Sequence, residues 1–153
     1  MLIIPPFLLG VVAGLRAMMA PAAISWAAYS GAIDLTGTPL AFLGSIWAAA
    51  VLSIAAVAEL ISDKRPTTPA RTVPPQFGAR IVMGSLSGAS LSAAQGSLVA
   101  GLVCGLFGAV IGTLAGRAAR AALARAFRAD RPAALVEDLV ALIGSALIVT
   151  NFW

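Results

Sequence analysis

The stretch "ELISDKRPTTPARTVPPQFGAR", Glu59–Arg80, is the most polar part of a chain that otherwise avoids charge. It holds Pro66, Pro69, Pro74 and Pro75 and charges of both signs, and long apolar segments flank it on either side. Proline lacks an amide donor and fixes φ, so the stretch reads as a stiff, extended connection. Glu59 and Arg80, at its ends, fall just inside the apolar segments that it joins. The fold depends on what those segments are.

Composition answers that. Of 153 residues, 60% are apolar and 10% are charged, against about 45–50% and about 25% in soluble domains. A chain of this length still has a large surface to wet, so the excess is not simply a larger core. The reading is an all-α integral membrane protein with a single domain over residues 1–153.

A helix needs about 20 mostly apolar residues to cross a bilayer. Five segments qualify, roughly 7–30, 39–61, 77–95, 97–119 and 132–150. The expected fold is therefore a compact bundle of about five transmembrane helices. Only Gln95-Gly96 separates the third from the fourth, so these two form a tight hairpin. The third is rich in Ser and Gly, and the pair could instead be two halves of a re-entrant hairpin, buried in protein.

Lys and Arg prefer cytoplasmic loops. With five spans, the loop carrying Asp63, Lys64, Arg65 and Arg71 lies on the same side as Arg117, Arg120, Arg125, Arg128 and Arg131. The other side carries neither Lys nor Arg. This predicts a multi-pass membrane protein, N-terminus in and C-terminus out. Trp26, Tyr29 and Trp153 fall near outer span ends, where aromatic residues concentrate, and Trp47 lies a little deeper. The opening residues lack a basic n-region, so a cleaved signal peptide is not expected.

Small residues form faces suited to close helix packing in lipid. Gly101, Gly105, Gly108, Gly112 and Gly116 make one stripe on the fourth span, and Gly84, Gly88 and Ser92 another on the third. The fourth-span stripe, through Gly105, Gly108 and Gly112, is the first candidate seam for a homo-oligomer; the alternative is hairpin packing inside one subunit. Past Gly116, "RAARAALARAF" continues as a short basic helix suited to anionic lipid headgroups along 117–131. It lacks the stacking aromatics or recognised module that nucleic-acid binding would need, and no such partner is expected. Two echoes suggest a weak parallel repeat. "PPFLLGVVAGLRAMMA" resembles "PPQFGARIVMG", aligning Arg16 with Arg80, and "SDKRP" resembles "RADRP".

Arg16, Glu59, Arg80, Glu137 and Asp138 lie within the expected spans. A charge at a helix centre costs about 2.5–3.5 kcal/mol on insertion scales, so such residues tend to be paired and functional. All five fall in the cytoplasmic half, and they read as an ionic layer lining a vestibule. Arg16 is expected to pair with Glu59 or Glu137, and a surplus acid to hold a proton or cation. Purely structural pairing is the competing reading. The chain has no histidine and one cysteine, Cys104. With no metal cluster, phosphate loop or nucleophile elbow in the sequence, no catalytic residue, metal or cofactor is expected.

The stretches "GLRAMMAPAAISWAA", "GTPLAFLGS", "ELISDKRPTTPARTVPPQFGARIVMG", "GAVIGTLAG" and "DRPAALVEDLVAL" resemble a bacterial membrane-protein family catalogued as domain of unknown function 4126. The resemblance implies a small multi-span inner-membrane protein and supplies no activity. The functional expectation is a small transporter or channel-like protein for an ion or small polar solute. The alternative is a non-catalytic accessory or scaffold subunit that packs against a larger membrane complex.

Overall fold

The computed structural model describes residues 3–63, 72–93 and 95–151. Lys64, Arg65, Pro66, Pro69, Arg71 and Trp153 lie outside the described residues. The described chain is all-helical: α1 (Ile4–Leu15), α2 (Met19–Tyr29), α3 (Ile46–Ser62), α4 (Pro74–Ala93), α5 (Leu98–Phe127) and α6 (Asp130–Asn151). A 3-10 turn, Ala41–Gly44, leads into α3, whose first turn is capped where the Ser45 side chain accepts the Ala48 N–H at 3.1 Å.

Two helices, α5 and α6, are long and apolar enough to cross a membrane. α1 and α3 are apolar but have only 12 and 17 residues. α4 has 20 residues, but Ser and Gly dilute its apolar character. Both helices of the expected hairpin are continuous and joined by a turn in which Gly96 takes φ +72°, a conformation that glycine adopts without a Cβ penalty. They are not half-helices.

Pro74 and Pro75, read above as part of the stiff connection, instead open α4. Pro5 and Pro6 open α1 in the same way. Proline suits a first helical turn, where an amide would have no partner.

The expected first span is two helices. Leu15 ends α1, Arg16 is extended at φ −140° and ψ 111°, and α2 starts at Met19. Pro21 supplies a local reason. In an unbroken helix its ring would clash with the Ala17 carbonyl and leave that group unbonded. Starting the helix at Met19 places Pro21 in the first turn, where neither problem arises.

The bundle centre is built on the glycine stripe of α5. Gly101 and Gly105 face Gly84, Gly88 and Ser92 of α4, while Gly108 and Gly112 face Phe7, Gly10 and Val11 of α1. Contact is between backbones: a Cβ on Gly84 would lie 2.9 Å from the Gly105 carbonyl oxygen, and one on Gly10 2.9 Å from Gly105 Cα. This corrects the seam expectation. The face through Gly105, Gly108 and Gly112 is filled from within the chain and is closed to a second copy. α3 stands apart from this centre. It packs on α2 and the 3-10 turn and buries only Ala49 and Ala56. Trp47, Val51, Ile54, Val57 and Ile61 stay exposed.

Candidate functional site: a helix break in a buried ionic layer

A helix end leaves backbone groups without partners, four N–H at its start and four C=O at its finish. The break at residues 16–18 creates both kinds inside the protein, and side chains from three other helices meet them. Glu59 of α3 accepts the Ala17 N–H at Oε1 (2.8 Å) and the Met18 N–H at Oε2 (2.9 Å). Arg80 of α4 donates through Nη1 to the Gly14 carbonyl (2.9 Å) and the Leu15 carbonyl (2.6 Å). Thr113 Oγ1 of α5 lies 3.2 Å from the Gly14 carbonyl. The Glu59 carboxylate thus sits on the positive end of α2 and the Arg80 guanidinium on the negative end of α1, as the helix dipoles favour.

The same residues pair with one another. Arg80 Nη2 is 3.4 Å from Glu59 Oε1 and 3.8 Å from Asp63 Oδ2. Arg16, fully buried, lies between Asp63 and Asp138, with its Nη2 2.6 Å from Asp138 Oδ1. Asp138 and Glu137 are neighbours on α6 and turn to different partners. Glu137 approaches Arg120 at 3.6 Å, and Arg120 also donates two hydrogen bonds to Asp130.

The five expected residues are therefore all at or beside one layer, with different pairings. Arg16 reaches Asp63 and Asp138 rather than Glu59 or Glu137. Asp63, read from sequence as a loop residue, is the C-cap of α3 and joins the layer. Arg120, read as part of a basic stripe facing headgroups, is tied within the chain, while Arg117, Arg125 and Arg128 remain exposed. The Arg16–Arg80 echo has a limited counterpart: both guanidiniums are buried and both approach Asp63. Their backbones differ, because one marks a break and the other continues a helix.

Such a layer survives burial only when hydrogen bonds supplement the ion pairs. The amides of Ala17 and Met18 and the carbonyls of Gly14 and Leu15 provide those bonds. A cavity of about 790 Å³ lies between α2, α3 and α6 and is lined by none of Arg16, Glu59, Arg80, Glu137 or Asp138. Among the described residues, no group of His, Cys, Asp or Glu side chains could hold a metal ion.

These features define a class: an all-helical protein, with two helices long and apolar enough to cross a membrane, whose first two helices meet at a break pinned by a buried ionic layer. The family model for the domain of unknown function DUF4126 matches residues 6–151, and the chain belongs to that family. No curated protein and no solved structure shows a significant match.

Proposed function

We propose that the chain is a multi-pass protein of the bacterial cytoplasmic membrane, and that its ionic layer is the closed gate of a pathway for an ion or small polar solute. The helix break carries this reading. Non-helical backbone at membrane depth is tolerated where protein buries it or where it lines a cavity, and discontinuous helices commonly build transporter sites. Ion pairing alone would not require the first span to be interrupted. Arg16 Nε adds support. It is a buried donor without a hydrogen-bond partner among the described residues, and such groups call for an explanation. The segment expected as the first span doubles back at the break: Arg16 meets Asp138 and Val12 lies beside Gly144, while Met18 meets Glu59 and Trp26 meets Ser53, so α1 and α2 both lead away from the layer on one side.

Topology is the first test. A reporter fused after Trp153 is expected to be active outside the cytoplasm, and one inserted near Pro69 inside it. The reverse pattern would place the layer on the wrong side and remove the gate.

Flux is the second test. Glu59→Gln keeps the shape of the side chain but puts an NH2 where one backbone amide now finds an acceptor. Wild-type protein in liposomes is expected to pass protons, a monovalent cation or a small anion down an imposed gradient. The variant is expected to remain helical and to change the rate or pH dependence of that flux at least severalfold. If the wild type is silent under all three gradients, the accessory-subunit reading replaces this one. The exposed apolar flank of α3 favours that second reading, since it is the kind of surface a membrane partner would cover.

A further inference from the structure

The 790 Å³ cavity is a groove floored by α2 and walled by α3 and α6. Its lining is chiefly small and apolar, including Ala22, Ala23, Ala27, Ala56 and Ala146, and short side chains on all three helices leave the space open. The polar groups in the lining already have partners. Trp26 Nε1 donates to Ser53 Oγ at 2.9 Å, and the hydroxyls of Ser30, Ser145 and Thr150 donate to carbonyls of their own helices at 2.9–3.1 Å. The groove therefore offers a polar solute little to bind and offers hydrocarbon a continuous wall. It is a poor route for the solute proposed above.

Its length is informative. The floor follows α2 from Met19 to Ser30, about 16 Å at about 1.5 Å per residue. One leaflet is half of a hydrocarbon core about 30 Å thick, which is close to the same length. One end abuts the ionic layer, since Met19 adjoins the amide held by Glu59. The other end carries Trp26 and Tyr29, half-exposed and edge to face with ring centroids 6.0 Å apart. Such rings sit at headgroup level.

We infer that this groove is a binding site for one acyl chain of an outer-leaflet phospholipid, with the chain end against the ionic layer and the headgroup beside Trp26 and Tyr29. The inference rests on the membrane reading and is independent of transport. An occupied groove would brace α3, which otherwise packs chiefly on α2 and the 3-10 turn.

The test is photolabelling of the protein in liposomes with phosphatidylglycerol bearing a diazirine midway along one acyl chain. Adducts on the groove segments 19–30, 53–60 and 142–150 are expected to exceed those on the outer face of α5, around Phe107 and Leu114, at least fivefold. Ala23→Phe and Ala146→Phe, which fill the groove, are expected to bring that ratio near one. The wild-type ratio is decisive even if a variant fails to fold: an even distribution overturns the site. So does a wild-type dimer that Ala146→Phe converts to a monomer in native mass spectrometry, because a second copy would then occupy the groove. A chain that does not insert into liposomes loses the membrane reading as well. An inserted chain that labels evenly but shows flux loses only this inference.

Discussion

Gly105→Leu is expected to yield no folded, monodisperse protein, and Gly105→Ala to melt about 5–10 °C below the wild type in detergent. Gly105 is the point where three helices touch through their backbones. A Cβ there would land on the Gly84 carbonyl oxygen and lie 3.2 Å from Gly88 Cα, while Gly10 of α1 presses on Gly105 from its own side. Backbone cannot turn aside as a side chain can, so even one methyl group must push α4 away from α5. Overpacking of this kind costs about 1–3 kcal/mol, and each kcal/mol shifts the midpoint by about 2–4 °C at this size. Gly78→Ala is the matching control. It lies in α4, a Cβ there would meet nothing within 4 Å, and removing glycine's extra freedom within a helix stabilises by about 0.5–1 kcal/mol. Equal effects at the two positions would mean that the bundle is not built on this stripe.

Arg16→Met is expected to be the most damaging change in the ionic layer. Breaking a buried pair by removing one partner costs about 3–5 kcal/mol, because the other charge stays buried without compensation. Arg16 has no solvent exposure and approaches two carboxylates, so its loss leaves Asp63 and Asp138 facing each other. Adding Asp138→Leu is expected to recover a substantial part of the loss, since it removes one of the two carboxylates that Arg16 neutralises. Arg117→Ala, at an exposed position of α5, is expected to stay within about 0.5 kcal/mol of the wild type. Thermal unfolding of the four proteins checks the set. If Arg16→Met melts with Arg117→Ala, Arg16 is not held between buried acids.

Much of this architecture was legible in the residues. The apolar runs covered the six helices although one run held two of them, Gln95-Gly96 marked the hairpin turn, and the glycine spacing marked the packing face of α5. The partners of that face were not legible, because a stripe of small residues fits any close-packed helix. The buried charges could be identified as a group, since charge within an apolar run is costly wherever it falls. Their pairings could not, because they depend on helix rotation and on the break. The signal for the break was present in Pro21, four residues after Ala17, but the unbroken hydrophobicity of the segment outweighed it. Asp63 was missed for a different reason. It stands beside a run of loop-forming residues, and only the end of α3 turns it inward.

The pairing of Arg16 with residues of α3 and α6 also imposes an order in time. A chain leaves the ribosome from its N-terminus, at about 5–20 residues per second. Asp138 follows Arg16 by about 120 residues, so one of its carboxylate partners is synthesised roughly 6–25 s later at that pace. Until then the growing chain holds an arginine among apolar helices without its full set of acids. The last helix closes the layer, and a chain that stops before α6 carries the defect permanently. The layer thus ties the stability of the first helices to completed synthesis of the last.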